Sequence, residues 1–409
     1  MAAAQLRLRK NLARAIAQGH PWLYRDALRP SPPLPDGAIV EVLAPSGRPL
    51  ARGFWDSASP IAVRILVAEP RVGDLLAAVD KRVADALARR LAVIDRARTD
   101  AFRWIHGEAD GLPGVHADLY GDAVALRFDG GGAQAFYRNL PAVLETAARA
   151  QGIELGAVIE RRRGPRGGDK SGDKSNDQTD AGEAAIALRG QLPGDETVVR
   201  ENDLLFGVDL AHGQKGGLFL DQRDNRALVR TLADGRRVLN LFGYTGGFSI
   251  YAAAGGARDT TTVDVGRQAI AAARRNFQRN GFDIDRATFA AEDAFVFLES
   301  AARAGRQWEL VISDPPSFAP SSRSLPKALG AYRRLHRMAA AVTAPGGIFC
   351  VASCSSHVDK AAFLGTVTEG ARDAGRRFVL DSFHGAAADH PVVPHFPEGG
   401  YLKFAVGRL

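Results

Sequence analysis

Residues Val238–Ser249 read VLNLFGYTGGFS, an apolar strand that runs directly into a glycine-rich turn. Asp264 follows at the end of the next apolar segment. In Rossmann-like folds a nucleoside binds where the first strand meets its helix, because glycine lets the backbone approach the ligand and a carboxylate on the second strand accepts the ribose hydroxyls. The stretch therefore predicts a doubly wound α/β domain in which Asp264 holds a ribose.

The spacing of the glycines indicates which nucleoside binds there. Gly243, Gly246 and Gly247 do not form the GxGxxG pattern of a dinucleotide site, and Tyr244 and Thr245 lie between them. An aromatic-rich turn without phosphate-binding spacing suits S-adenosylmethionine, whose sulfonium and amino acid groups need carboxylates, carbonyls and apolar walls instead of an anion nest. We expect this methyl donor as the cofactor.

A second motif supports methyl transfer. Residues 308–318 read WELVISDPPSF, an apolar strand that ends in Asp314, Pro315 and Pro316. This pattern is typical of the fourth strand of a methyltransferase, where an acid and a rigid turn can hold a planar base edge beside the donor. The alternative is a turn that only ends a strand.

A third motif supplies a nucleophile. Residues 346–357 read GGIFCVASCSSH, and Cys354 stands at the predicted end of this strand, whereas Cys350 lies inside its apolar run. A thiolate can add to carbon 6 of cytosine and make carbon 5 nucleophilic toward a methyl group. The alternative for Cys354 is a small buried residue, which is our interpretation of Cys350.

The region from Arg237 onward alternates strands and helices, which indicates a mainly parallel sheet. Ligands of such sheets bind outside the carboxyl ends of the strands. That edge is predicted to carry Phe242 to Gly246, Asp264, Asp293, Asp314 and Cys354.

With these motifs the chain resembles the RlmI-type methyltransferases, which modify carbon 5 of cytosine in large-subunit ribosomal RNA. Segments along almost the whole chain carry the resemblance: GHPWLY at 19–24, GEADGLPG at 107–114, DLAHGQKGGLFLDQRDNR at 209–226, NLFGYTGGFS, DPPSF, ASCSSH and DHPVVPHFPEGGYLK at 389–403. The resemblance implies a multidomain chain with a PUA-like RNA-binding β-barrel at 1–72, a small α+β domain at 73–198 and a class I, Rossmann-like methyltransferase domain at 199–409.

The resemblance also implies roles for individual residues. Phe242, Gly243, Tyr244, Thr245 and Gly246 would line the donor, Asp264 would hold its ribose, Asp293 its adenine amino group, and Cys354 would be the nucleophile. Asp314 would serve the reaction centre and, with Pro315, contact the donor. Gln222 and Arg223 are expected near the donor carboxylate or the RNA, since arginine offers a bidentate fork; an ion-pair role for Asp221, Arg223 and Asp224 is the alternative.

One departure concerns product release. Many cytosine carbon-5 RNA methyltransferases place a second cysteine after the proline of the fourth strand, and Pro316 stands there in this chain. The RlmI type shares this absence, so the group that removes the carbon-5 proton is unassigned, with a water molecule and Asp314 as candidates.

Two rival functions stay open. A related family of guanine-N7 methyltransferases has a similar turn and a DPP-x-F strand end without a nucleophilic cysteine, so Cys354 discriminates between the two. A non-catalytic RNA-binding assembly factor would keep the donor pocket without methyl transfer. For the cytosine enzyme, access to carbon 6 demands an unstacked base, so single-stranded, looped or flipped RNA is expected.

Composition is compatible with this assignment. The chain has 409 residues, of which 46% are hydrophobic, which is enough for two or three domains with their own cores. The net charge is +7, and residues 1–30 contain Arg7, Arg9, Lys10, Arg14, Arg25 and Arg29 against one acid, Asp26. A basic amino-terminal surface suits phosphate attraction, although a solvated basic surface needs no ligand.

Two cysteines, no apolar run long enough for a bilayer and no signal sequence predict a protein of the reducing cytoplasm without a membrane partner. The nine histidines do not pair with cysteines at zinc-site spacing, so no metal is expected. The oligomeric state is left open, with a homodimer as one alternative.

Local patterns predict the remaining elements. AIVEVL and PIAVRILV are typical barrel strands after the break SPPLPDG at 31–37, and apolar residues from Leu75 to Ile94 recur at helical spacing. AFRWIH, AVALRF and GAVIERR are expected strands, residues 163–182 a disordered loop, and TVVRENDLLFGVDL a hairpin turning at Glu201, Asn202 and Asp203.

Overall fold

The computed structural model describes residues 3–68, 75–162, 184–194, 196–211, 217–319 and 322–409. The chain forms two compact units. Unit 1 comprises residues 1–197, 208–216 and 388–399, and unit 2 comprises 198–207, 217–387 and 400–409. Residue 72, near which the first domain is predicted to end, and the predicted disordered loop at 163–182 lie outside the described residues. The three predicted domain ranges stay predictions.

Unit 1 begins with a five-stranded sheet in the order β1-β3-β4-β5-β2. Its strands are β1 Ala4–Arg7, β2 Trp22–Tyr24, β3 Ile39–Leu43, β4 Pro49–Trp55 and β5 Ile61–Val67, with helix α1 at Ala13–Ala17. β3 and β5 confirm the strands predicted from AIVEVL and PIAVRILV. Alternate residues of these strands, with Leu6, Leu8 and Ile16, enclose the first core.

A second five-stranded sheet follows in the order β10-β9-β8-β7-β6. Its strands are β6 Ala101–His106, β7 Val115–Tyr120, β8 Ala123–Phe128, β9 Ala157–Arg162 and β10 Ala184–Gly190, and its helices are α2 Leu75–Leu91, α3 Gly131–Phe136 and α4 Leu140–Ala150. Helix α2 confirms the predicted apolar periodicity, although it ends at Leu91, before Ile94. The sequence analysis did not predict β7, in which His116 and Asp118 alternate with buried residues.

Residues 388–399 group with unit 1 although they lie near the carboxyl terminus. The Asp389 carboxylate accepts the backbone N–H of Arg103 at 2.8 Å, and Arg90 donates to the Asp389 carbonyl at 2.9 Å. The ring of Phe396 packs edge-on against Trp22 with centroids 4.6 Å apart. This part of the DHPVVPHFPEGGYLK motif is therefore built into the amino-terminal unit.

The next element is the hairpin of β11 Thr197–Glu201 and β12 Leu204–Val208, of which residues 198–207 belong to unit 2. Asn202 and Asp203 have φ of 50° and 70°, the left-handed conformation that a two-residue hairpin turn needs. The hairpin predicted there is confirmed.

A seven-stranded sheet forms the rest of unit 2, in the order β15-β14-β13-β16-β17-β19-β18. Its strands are β13 Arg237–Leu241, β14 Asp259–Asp264, β15 Ala287–Ala291, β16 Trp308–Ser313, β17 Thr343–Ser353, β18 Val379–His384 and β19 Lys403–Arg408. β13 to β17 pair in parallel, whereas β19 pairs antiparallel with both β17 and β18. The mainly parallel sheet predicted from the alternating pattern is confirmed.

Helices cover both faces of this sheet. They are α5 Arg223–Leu232, α6 Gly247–Ala254, α7 Arg267–Arg279, α8 Ala294–Arg303, α9 Leu325–Ala341 and α10 Lys360–Asp373. One core joins α8, α9 and α10 to residues such as Val311 and Phe349, and the other joins α5 and α6 to Leu310 and Ile312. Because successive strand residues face opposite sides, a continuous apolar run such as residues 348–352 of β17 contributes to both cores. Among the described residues, no helix is both long and apolar enough to span a bilayer.

Candidate active site

The turn after β13, residues 242–246, has an unusual backbone and is named the donor turn below. Phe242 and Tyr244 have φ of 57° and 46°, and Gly246 has φ of 85°. Left-handed backbone is uncommon for residues other than glycine and is concentrated at binding sites. At Gly243 a Cβ atom would lie 2.5 Å from Cγ2 of Thr262, so the turn can pass β14 only with glycine there.

Asp264 fixes the donor turn from the neighbouring strand. Its Oδ2 accepts the backbone N–H of Tyr244 at 2.9 Å, and its Oδ1 accepts that of Gly266 at 2.8 Å. A carboxylate has about four acceptor sites, so lone pairs remain for the two hydroxyls of a ribose. The half-buried Asp264 therefore fits the role predicted for it.

Asp293 stands at the next strand end and begins helix α8. Its Oδ1 accepts the backbone N–H groups of Phe295 and Val296 at 2.9 and 3.1 Å, as in an N-cap. These bonds occupy Oδ1 and leave Oδ2 as an acceptor in an exposed side chain. A capping role is thus established for Asp293, and its predicted contact with an adenine amino group stays a prediction.

Asp314 is held by a relay from α5 and the turn before it. Nε2 of Gln222 donates to Oδ2 of Asp314 at 2.9 Å, and Nδ2 of Asn225 donates to Oε1 of Gln222 at 2.6 Å. Asn225 also donates to the carbonyl of Gly385 at 3.1 Å. Because Gln222 and Asn225 are buried, this chain fixes the orientation of the Gln222 amide.

Asp221 and Arg223 of this segment are also buried, whereas Asp224 is exposed. Nε of Arg223 lies 3.2 Å from Oδ1 of Asp224, so the ion pair considered as an alternative is present. The hydroxyl of Tyr401 donates to Oδ2 of Asp221 at 2.6 Å. Arg223 is nevertheless only 4% exposed and is not an ordinary surface cation.

Cys354 follows the last residue of β17, and Pro315 and Pro316 follow β16 at the same edge of the sheet. β16 and β17 pair in parallel with Ser313 opposite Val351, so Asp314 and Cys354 both lie beyond the carboxyl ends of adjacent strands. A hydrogen bond joins the segments that follow the two strands, because the hydroxyl of Ser355 donates to the carbonyl of Ala319 at 3.2 Å.

Tyr332 of α9 closes this corner from one face of the sheet. Its hydroxyl lies 3.0 Å from Oγ of Ser353. Burial raises the pKa of Tyr332 to about 12, and the negative charges of Cys354 and Asp314 add to the effect. The phenol is therefore a neutral hydrogen-bonding group near both predicted catalytic residues.

The two cysteines differ as the sequence analysis predicted. Neither forms a disulfide, and Cys350 is fully buried while Cys354 is half-buried. Burial raises the pKa of the Cys350 thiol well above its usual range, so this thiol is inert at neutral pH.

Sequence reasoning missed Asn225, Tyr332, Tyr401 and Lys403, which support the predicted residues from other elements. Asn225 lies three residues after Gln222, and this helical spacing is a weak signal for a supporting contact. Tyr401 and Lys403 belong to the motif DHPVVPHFPEGGYLK, to which the sequence analysis assigned no role. Their positions depend on the insertion of β19 between β17 and β18, which no local sequence pattern indicates. In the part of the chain that the structure describes, no group of three or more His, Cys, Asp or Glu side chains could hold a metal ion.

Family models match both ends of the chain. The model of S-adenosylmethionine-dependent methyltransferases matches residues 181–395, and that of PUA-like domains matches residues 6–67. Two solved structures share the fold along the whole chain. One, described as a SAM-dependent methyltransferase from Streptococcus mutans, has a TM-score of 0.80 at 22% identity and covers 99% of this chain and 100% of its own. The other, solved with S-adenosylhomocysteine, has a TM-score of 0.81 at 21% identity and covers 100% of both chains.

Curated relatives extend the similarity over full length. Ribosomal RNA large subunit methyltransferase I of Aeromonas salmonicida is 34% identical over 400 residues, which cover 98% of each chain. The protein of that name from Escherichia coli O127:H6 is 30% identical over 402 residues, again 98% of each chain. The chain therefore belongs to the large subunit ribosomal RNA methyltransferase I family of S-adenosylmethionine-dependent methyltransferases, with a PUA-like domain at its amino terminus.

Proposed function

We propose that this protein methylates carbon 5 of a cytosine in large-subunit ribosomal RNA through a covalent adduct with Cys354. The observation that carries the proposal is a half-buried thiol just after the carboxyl end of β17, next to the strand β16 whose carboxyl end is followed by Asp314. A guanine-N7 methyltransferase needs no nucleophilic cysteine there. The names of the curated relatives support the ribosomal substrate.

The donor turn and the strand ends around it would hold S-adenosylmethionine. Lone pairs of Asp264 would accept the ribose hydroxyls and Oδ2 of Asp293 the adenine amino group, while residues 242–246 and Pro315 would line the donor. Gln222 and Arg223 would contact the donor carboxylate or the RNA. When bound, S-adenosylmethionine supplies an electrophilic methyl group.

Cys354 would perform the covalent chemistry. Its thiolate adds to carbon 6 of cytosine, and the electrons of the carbon 5–carbon 6 double bond make carbon 5 nucleophilic toward the methyl group. Loss of the carbon-5 proton to a base restores the double bond and expels the thiolate. Asp314 would accept from the cytosine amino group and share a proton with nitrogen 3, which stabilises the adduct.

The amino-terminal unit would supply the attraction to RNA. The side chains of Arg7, Lys10, Arg14 and Arg29 are exposed, and within the described residues these side chains form no hydrogen bond or ion pair. We expect the target base to be unstacked, since carbon 6 is not accessible to a thiol inside a helix. Action in the reducing cytoplasm and a homodimer stay predictions.

The proposal is tested by the identity of the methylated base. The protein is incubated with unmodified ribosomal RNA and methyl-labelled S-adenosylmethionine, and the RNA is digested to nucleosides. We expect labelled 5-methylcytidine with the wild type and none with Cys354→Ala. The matched control is Cys350→Ala, which removes the other thiol from the same strand and should leave the labelled product unchanged.

Two outcomes contradict the proposal. Labelled 7-methylguanosine that persists in Cys354→Ala would assign the guanine-N7 activity. Binding of ribosomal RNA without any labelled nucleoside, under conditions in which the donor also binds, would assign a non-catalytic role in assembly.

A further inference from the structure

Lys403 is a buried cation at the first residue of β19. It is 5% exposed, and it pairs with Ser353 across the antiparallel contact between β17 and β19. Its Nζ donates to the carbonyl of Ser355 at 2.6 Å. The ammonium is thus anchored to the backbone of the residue after Cys354, while its own Cα lies opposite the residue before Cys354.

The charges around Lys403 include no close carboxylate. Within the described residues no Asp or Glu oxygen lies within ion-pair distance of its Nζ, and the groups that interact with it electrostatically are Cys354 and Asp359. Oδ1 of Asp359 accepts the backbone N–H of Ala362, and this exposed side chain caps helix α10. Burial lowers the pKa of Lys403, whereas the charges of Cys354 and Asp359 raise it.

Burying an ammonium group without a counter-ion costs free energy. Such a group therefore indicates that a negative charge forms next to it at some stage of the reaction. Asp359 is solvated and occupied as a cap. Cys354 is the other group whose charge acts on Lys403, and the charges of Cys354 and Asp314 also act on Tyr332 at this corner. Tyr332 is held neutral by burial, and Asp314 is engaged by Gln222.

We propose that Lys403 is a positioning residue that activates Cys354, its ammonium stabilising the thiolate before attack and again when the thiolate leaves the product. The proposal rests on the nucleophilic role of Cys354 given above. It supplies the activation that the sequence did not reveal, since an ordinary cysteine is only a few per cent thiolate at neutral pH.

The same electrostatic effect serves both halves of the reaction. Before attack, the Cys354 thiol releases its proton to solvent and the negative charge on Sγ is balanced by Nζ of Lys403. In the adduct the Sγ electron pair forms the bond to carbon 6, and the sulfur is neutral. When the carbon-5 proton leaves, the Sγ–carbon 6 bond breaks and its electron pair returns to Sγ, where the ammonium again balances the charge.

The test measures the thiolate directly. The rate of alkylation by iodoacetamide is followed from pH 5.5 to 10 in the full-length protein without RNA, and Cys354→Ala defines the background from Cys350. We expect Lys403→Met to move the midpoint of the profile upward by about one pH unit or more, with alkylation at pH 7 slowed about tenfold. Lys403→Arg keeps the charge and should retain most of the wild-type profile.

The control is Lys360→Met, which removes an exposed cation from the same unit; Lys360 packs over the ring of Phe383. Its profile should coincide with that of the wild type. An unchanged midpoint in Lys403→Met, with the circular dichroism spectrum of the wild type, overturns the proposal. If Lys403→Met unfolds, Lys403→Gln and Lys403→Arg decide it: equal midpoints in these two variants overturn it, and a midpoint raised only in Lys403→Gln supports it.

The outcome is separable from that of the proposed function. Methylation that survives in Cys354→Ala would refute the nucleophilic role even if Lys403 controls the thiol. Conversely, Cys354→Ala could abolish methylation while Lys403→Met leaves the alkylation profile unchanged. That result would support Cys354 as the nucleophile and refute its activation by Lys403.

Discussion

Phe242 and Tyr244 show how single residues give the donor turn its shape. Left-handed backbone at a residue with a side chain costs about 1 kcal/mol or more, and it persists only where neighbouring groups hold it. Asp264 supplies such a group, because it accepts the N–H of Tyr244. The side chain that would meet the ribose thus also stabilises the turn that would line the donor.

The Asn225–Gln222–Asp314 relay gives a prediction at the same scale. In Asn225→Leu the Gln222 amide loses the donor at its Oε1, so it can turn this oxygen toward the Asp314 carboxylate. We expect kcat for methyl transfer to fall about tenfold, which corresponds to about 1.4 kcal/mol. The control is Thr231→Val on the exposed face of α5, and equal rates for the two variants would show that the relay does not orient Asp314.

Much of this site was predictable from the sequence, because a polar residue directly after an apolar run marks the end of a buried strand. Asp264, Asp314 and Cys354 each follow an apolar run, and parallel connectivity brings such ends to one edge. Lys403 was not predictable in this way, since β19 joins β17 through a pairing that no local pattern specifies. The left-handed backbone of Phe242 was also not predictable, because phenylalanine has no preference for positive φ.

At the scale of elements, a buried ion pair joins the β11–β12 hairpin to α5. Nε and Nη2 of Arg226 donate to the two oxygens of Glu201 at 2.8 and 2.7 Å, and both side chains are buried. The hydroxyl of Tyr251 also donates to Glu201 at 2.9 Å. Nη1 of Arg226 donates to the carbonyl of Phe219, so the pair also holds the segment that leads to Gln222.

Arg226→Met should lower the free energy of unfolding by about 3–5 kcal/mol, because it leaves the Glu201 carboxylate buried without its partner. The double variant Glu201→Gln/Arg226→Met should recover much of this loss, since neither charge then remains. Urea unfolding of the two single variants and the double variant measures the difference. A loss below about 1 kcal/mol in Arg226→Met would contradict the assigned role.

Helix α9 contributes a pH dependence through His336. This side chain is fully buried among Tyr332, Phe349 and Phe363, and burial lowers its pKa to about 4. Between pH 6.5 and 4 the unfolded chain therefore binds a proton that the folded chain does not. The stability from His336 is complete above pH 6.5 and is lost as the pH falls through this window, by about 3 kcal/mol in all.

His336→Phe should remove this part of the acid sensitivity, because the aromatic surroundings accept a ring that cannot be protonated. From pH 7.5 to 5 we expect the wild type to lose about 2 kcal/mol more unfolding free energy than the variant, measured by urea unfolding at each pH. Parallel losses in the two proteins would contradict the assignment to His336.

The whole molecule combines a methyltransferase unit with a PUA-like domain that has a basic surface. One segment near the carboxyl terminus belongs to the unit formed by the amino-terminal residues. The predicted carboxyl-terminal domain at 199–409 includes residues 388–399, which group with unit 1. The motif there is polar and proline-rich, and no periodicity in it indicates which unit it joins. Its attachment depends on side-chain contacts such as that of Asp389 with Arg103.

The basic amino-terminal surface gives a prediction at this scale. Replacing Lys10, Arg14 and Arg29 with alanine should weaken RNA binding and reduce the slope of log Kd against log salt by about 2, since each phosphate contact to a single strand contributes about 0.7. Alanine at Arg149, Arg274 and Arg303, which are exposed elsewhere, is the matched control. Equal slopes for the two triple variants would remove the amino-terminal surface from RNA binding.

The most direct test of the account is to trap the covalent adduct. RNA containing 5-fluorocytidine permits addition to carbon 6 and methyl transfer, but fluorine cannot leave carbon 5 as a proton does, so the bond to the enzyme persists. We predict a complex of protein and RNA that forms only with S-adenosylmethionine, withstands denaturing electrophoresis, maps to the peptide that contains Cys354 and is absent in Cys354→Ala. Methylation of ordinary RNA without any such complex, or an adduct at another residue, would contradict the account.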